Sequence, residues 1–153
     1  DNLIRIDYSL FFKLLKAKIM TDDNLQNYVD VDEGIEYRLK KYVIKANNLD
    51  EFIKLIKTKR YTYNKINRMF IHILVGFKKS DNLKVIDYTK ILGFDKKGLN
   101  YLNKTKNSIV IPNGVNTKSN TFKYELQASL IYDLINSTNT FLFELKSKPV
   151  IKN

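Results

Sequence analysis

The chain has 153 residues, 44% of them hydrophobic and 28% charged, with a net charge of +11 and no cysteine. It therefore has the material for a real core and cannot form disulfides or thiolate metal sites. It holds one histidine, His72, so histidine-based catalysis and histidine metal sites have little to draw on. No apolar run approaches the roughly 20 residues of a bilayer crossing, and Asp1 to Asp7 do not resemble a signal peptide, which predicts a soluble, cytoplasmic protein. The chain starts on Asp1, and its first methionine, Met20, falls inside a helical pattern; both read as a piece of something longer.

Periodicity predicts the elements in order. Leu10, Phe11, Leu14, Leu15 and Ile19 recur at helical spacing and give a helix from about Tyr8 to Met20. Thr21 is expected to cap a short helix ending near Tyr28. Asp30 with Glu33 fits a capping box opening a helix to about Ala46, with Ile35, Leu39, Tyr42 and Val43 inward. Asn48 with Glu51 repeats that logic for a short helix buried through Phe52, Ile53 and Ile56. Thr62 caps the next, where Ile66, Met69, Phe70, Ile73, Leu74 and Phe77 fall on one face. Beyond Gly76 the β-branched and aromatic residues of Val85 to Phe94 predict a strand. Asp95 caps a helix to about Lys106, and Ser108 to Pro112 is a second strand, parallel to the first through that helix. Thr121 to Asn136 returns to helix with Leu126, Leu130 and Leu134 at regular spacing, and the end through Pro149 is an extended tail or a short helix. The expected fold class is α+β, mainly α: a helical subdomain over residues 1–80 with a basic turn, then a small α/β subdomain and tail over 81–153.

High lysine, asparagine, isoleucine and tyrosine content is what an AT-rich genome gives any protein, so bulk charge says little about partners. Distribution says more. From Phe52 to Ser80 there are eight basic residues and no acid. Their centre is Lys57-Thr58-Lys59-Arg60-Tyr61-Thr62, a turn leading into a helix amino terminus, where free N–H groups and added cations suit phosphate. Lys65, Arg68 and His72 extend the charge along the next helix, and Tyr61 and Tyr63 flank the turn as aromatics able to stack on unpaired bases. The plainer reading is a solvated basic turn with Thr62 as an ordinary cap and His72 as a surface residue. Glu33 and Glu36, with Arg38 beyond, could do acid/base work, but acids at a helix start more often cap it. No glycine-rich phosphate loop and no histidine pair of the HxGH kind occurs.

Glu33-Gly34-Ile35-Glu36-Tyr37-Arg38-Leu39-Lys40-Lys41 resembles the EGLENRLKK segment of the bacterial tRNA(Met) cytidine acetate ligases. Lys57 to Thr62, with Arg68 and His72-Ile73-Leu74, resembles that family's KTKRYT…R…HLL. Ile91 to Phe94 with Lys97-Gly98 is similar to RVLGFNEKG, and Leu126 to Tyr132 is a looser echo of LDIRATDIY. The chain departs from the family at Tyr37, at Tyr63 and Asn64, and at Gln127 and Ser129.

The resemblance implies an enzyme that uses ATP, with magnesium, to activate acetate and pass the acetyl group to the exocyclic amine of the wobble cytidine in elongator methionine tRNA. It also implies that the adenylating domain lies amino-terminal to this part, which is then inactive alone and supplies tRNA contacts. On that reading Lys57, Lys59, Arg60, Thr62, Lys65 and Arg68 bind tRNA phosphates, Glu33, Glu36 and Arg38 order the surface, and no catalytic or metal-binding residue lies within the chain. Two other readings stay open. Residues 49 to 77 could form a helix-turn-helix that reads DNA through Tyr63, Lys65, Asn67 and Arg68, or the chain could be structural, docking on a catalytic domain or a second subunit.

Overall fold

The helical pattern from Tyr8 onward is realised in a computed structural model that describes residues 7–81, 87–104, 110–111 and 119–152. The fold is α+β and mainly helical, in two units: Asp1–Asn82 with Leu134–Ser137, and Leu83–Asp133 with Thr138–Asn153.

In the first unit, α1 (Tyr8–Thr21) begins where the Asp7 carboxylate accepts from the N–H groups of Ser9 and Leu10. Thr21 does not start a second helix as expected. It is the last residue of α1, its hydroxyl donating to the Ala17 carbonyl at 2.9 Å, and a single 3₁₀ turn, Leu25–Asn27, follows. The expected capping box at Asp30 and Glu33 is also absent. Both residues take left-handed backbone, φ 66° and 54°, and Gly34 at φ 77° opens α2 (Ile35–Val43). No side chain caps the helix: the Asp30 carboxylate accepts from Arg68 and that of Glu33 from Arg60. That helix also stops short of Ala46.

Two caps form as read. Asn48 Oδ1 accepts from Glu51 N–H at 2.9 Å to start α3 (Leu49–Ile56), while Glu51 reaches back to Asn47 N–H. Thr62 Oγ1 accepts from Lys65 N–H to start α4 (Tyr63–Val75), and Gly76 at φ 78° ends it.

These helices close on a core in which Leu15, Ile19, Leu39, Phe52, Ile56, Ile66, Met69, Phe70 and Ile73 are fully buried. At its centre Phe52 stacks on Phe70, ring centroids 5.5 Å apart and nearly parallel, with Phe12 tilted against Phe52 at 5.7 Å. Antiparallel pairing of Tyr28 with Lys78 and a bond from Val29 N–H to the Phe77 carbonyl clamp the segment after the 3₁₀ turn onto the end of α4.

Among the described residues the second unit holds four strands of two residues each: β1 (Thr89–Lys90), β2 (Gly93–Phe94), β3 (Val110–Ile111) and β4 (Val150–Ile151). β1 pairs with β3 in parallel, and α5 (Lys96–Lys104), capped by Asp95 accepting from Gly98 N–H, lies between them in sequence. The expected single strand to Phe94 is instead two short ones, and β2 pairs in parallel with β4. Gly93 is needed there, since a Cβ would meet the Val150 carbonyl at 2.9 Å. Residues 82–86, 105–109 and 112–118, on which parts of the expected strands fall, lie outside the described residues.

Before α6 (Asn120–Asn136), Ser119 Oγ caps Phe122 N–H, and the Asp87 carboxylate accepts from Ser119, Asn120 and Thr121. Asp133 in turn accepts from the N–H groups that open α7 (Thr140–Lys146). The regularly spaced leucines of α6 are not its buried residues. Leu130 and Leu134 are exposed, while Phe122 and Ile135 are buried, the first in the second unit and the other in the first.

Phe52→Ala removes the ring that both other phenylalanines contact, and should cost about 3–5 kcal/mol in urea unfolding. A loss under about 1 kcal/mol would show that the stack does not hold the helices together.

Candidate functional site

The turn Lys57 to Thr62 lies between α3 and α4 and is fixed from inside by Tyr61, which is 3% exposed. Its hydroxyl donates to the Asp32 carbonyl at 2.6 Å and accepts from the Asp32 N–H at 3.1 Å. Thr58 Oγ1 accepts from Tyr61 N–H at 3.0 Å, tightening the loop. Burying the tyrosine turns its neighbours outward: Lys57, Lys59 and Arg60 are exposed.

The acid-free stretch is met by acids from another part of the chain. Arg60 pairs with Glu33 at 3.0 Å, both well exposed. Arg68 grips Asp30 through two donors, Nε at 2.7 Å and Nη2 at 2.9 Å. His72 Nδ1 lies 3.1 Å from the same carboxylate and 3.3 Å from the Val29 carbonyl. Lys79 Nζ reaches Asp32 and the carbonyls of Gln26 and Val31. The loop carrying Asp30, Asp32 and Glu33 is thus fastened along the whole basic segment. Arg68 hydrogen bonding holds the Asp30 carboxyl below its ordinary pKa of 3.8, against the opposing effect of burial.

The predicted residues therefore occupy different positions. Lys57 and Lys59 form no ion pair among the described residues, and Lys65 sits over the Tyr61 ring at 4.2 Å from its centroid. Thr62 serves as a cap. Arg60 is charge-paired yet 78% exposed, whereas Arg68 commits two of its donors to Asp30. Arg38 donates to the Leu55 carbonyl at 2.7 Å and packs over Tyr42, which ties α2 to α3. Glu33 and Arg38 join Thr58, Lys59 and Arg60 around a depression of about 400 Å³; Glu36 lies outside it, lining a smaller one with Asp23 and Lys40.

Sequence reasoning missed Asp30, Asp32 and Tyr61 as the organisers of this surface. The signal was the acidic run itself, which helix logic assigned to caps. No three His, Asp or Glu side chains gather to hold a metal among the described residues, and no helix among them is long and apolar enough to cross a membrane.

The model of a family described as HIGH Nucleotidyl Transferase matches residues 2–145. The chain belongs to that family. It is 34% identical over 148 residues to the tRNA(Met) cytidine acetate ligase of Staphylococcus carnosus, an alignment covering 90% of this chain and 39% of that protein. It is 35% identical over 136 residues to the tRNA(Met) cytidine acetate ligase of Bacillus subtilis, covering 81% of this chain and 32% of that one. The chain thus matches 32–39% of the length of these relatives. It shares its fold with Thermotoga maritima TmcAL bound with alpha-thio ATP, at a TM-score of 0.65 and 17% identity over 92% of this chain and 41% of that one.

Because the folded-state pKa of Asp30 is depressed, its ion pair stabilises the fold above the unfolded carboxyl's pKa and is lost as pH falls through the lower folded value. Asp30→Asn should accordingly be less stable than wild type at pH 7, and the deficit should shrink below about pH 4 in urea titrations. A deficit independent of pH would mean that the loop is held by shape and not by this charge.

Proposed function

We propose that the chain is the tRNA-holding, carboxy-terminal part of a ligase that uses ATP and acetate to acetylate the wobble cytidine of elongator methionine tRNA. The observation that carries this reading is the exposed turn Lys57 to Thr62, where two lysines with no carboxylate partner among the described residues stand beside an accessible Arg60, in a chain of this family. Cations on a rigid turn at a helix amino terminus suit phosphate and pre-pay part of the ordering cost of binding. Lys57, Lys59 and Arg60 make the phosphate contacts, Lys65 extends them, and Thr62 shapes the helix start. Arg68, Glu33 and Arg38 hold the surface in place. Glu36 takes a supporting place on α2.

The name HIGH spells a histidine pair in one-letter code, and this chain contains one histidine. Activation of acetate with ATP and magnesium is accordingly assigned to a histidine-bearing catalytic domain working beside it, and the chain by itself is inactive. The turn's anion-binding chemistry would equally fit a nucleotide phosphate, and its placement near that domain's nucleotide is part of the proposal.

A DNA-reading helix-turn-helix has less support. Six residues separate α3 from α4, against the usual three or four, and Arg68, one of the four side chains that would meet bases, is held by Asp30.

Binding of elongator methionine tRNA measured across a salt series tests the proposal. Lys59→Ala with Arg60→Ala should weaken binding and flatten the slope of log K against log salt by roughly 1.4–1.8. An unchanged slope and affinity would reject the turn as a phosphate site, and equal affinity for random duplex DNA would reduce the interaction to bulk charge.

A further inference from the structure

Next to the face of α4 that meets Asp30, the helix borders a second cleft of about 660 Å³ that it shares with α1 and α3. Tyr63, Asn67 and Ile71 line it at successive i, i+4 spacing, and Tyr8 and Lys13 of α1 and Asp50 of α3 face it across the gap. Tyr8 is 62% exposed, Tyr63 50% and Ile71 48%. Among the described residues, the Asn67 amide, the Asp50 carboxylate, the Lys13 ammonium and both tyrosine hydroxyls have no hydrogen-bond or ion-pair partner. The cleft therefore offers open aromatic and aliphatic surface together with a donor-acceptor amide, an acceptor and a cation, all unspoken for within the fold.

We infer that this cleft receives an unpaired nucleobase of the bound RNA, stacked on Tyr63, with its polar edge toward Asn67 and Asp50 and a neighbouring phosphate toward Lys13. The inference rests on the reading of the Lys57 to Thr62 turn as an RNA contact, because Tyr63 follows that turn directly and a strand held there by its phosphates reaches the cleft next. The volume is in the range of small-ligand sites and accommodates a nucleoside. An apolar peptide would fit the chemistry worse, since it would leave the amide, carboxylate and ammonium without partners. The first residues of α1, α3 and α4, namely Tyr8, Leu49 and Tyr63, all line the cleft, so three helix amino ends add positive potential for a polyanion.

The test uses the whole chain with a single-stranded oligoribonucleotide carrying 5-iodouridine, irradiated and mapped by mass spectrometry, alongside equilibrium binding. The adduct should fall on Tyr63 or Tyr8. Tyr63→Ala should abolish the Tyr63 adduct and weaken binding about tenfold, and Tyr63→Phe should retain both. Tyr63 is half exposed, so circular dichroism should show the variant folded. Lys59→Ala with Arg60→Ala should flatten the salt dependence yet keep the tyrosine adduct at saturating protein. The two readings thus fail separately: an unchanged salt slope sinks the turn, whereas adducts outside the cleft, or wild-type affinity in Tyr63→Ala, overturn the nucleobase site.

Discussion

The surface depends on one seating: the loop bearing Asp30, Asp32 and Glu33 lies against the turn before α4 and along α4 itself. Tyr61 supplies the uncharged half, its buried hydroxyl bonded to both backbone groups of Asp32. Asp30 supplies the charged half by facing Arg68 and His72 together. Left-handed backbone at Asp30, Glu33 and Gly34 accompanies a loop in which three acids in four residues reach separate cations of the basic segment. Such backbone is costly for non-glycine residues, and the ion pairs and the tyrosine contact hold it in place.

This arrangement decides which cations remain available. Three of the eight basic residues between Phe52 and Ser80 meet a carboxylate of the loop. They are not equivalent. Arg60 and Glu33 are both solvated, and an exposed pair of this sort contributes little and exchanges readily for another anion. The Asp30 carboxylate is largely shielded and bonded at both oxygens, so removing its partner would strand a charge. The turn consequently carries the exchangeable part of the charge pattern, and the middle of α4 the committed part.

The second unit is organised differently. Its short parallel strand pairs contribute few hydrogen bonds, and carboxylates take over as local fasteners: Asp87 gathers the start of α6 and Asp133 the start of α7. Both have pKa values of about 2: hydrogen bonding led by Ser119 lowers that of Asp87, while at Asp133 burial raises it and bonds from Thr138, Thr140 and Phe141 outweigh that effect. A pair between Lys90 and Glu144 ties β1 to α7.

Local chemistry was legible in the sequence by itself. The caps at Asn48, Thr62 and Asp95, the buried stripe of α4, the parallel relation of β1 to β3 and the basic turn all follow from spacing within a few residues, because a helix or a cap is closed by its own neighbours. The family was legible too, in the segments around Glu33 and Lys57. Tertiary structure alone decided what the acids are for. Asp30 and Glu33 have the spacing of a capping box, but their partners lie 38 and 27 residues away, and no local pattern encodes so distant a contact. It also decided that Tyr61 is core and Tyr63 surface, although two positions separate them, and that Phe122 and Ile135, not the regular leucines, are the buried residues of α6. Each is a question of which stripe a neighbour covers, and that is settled only when the chain packs.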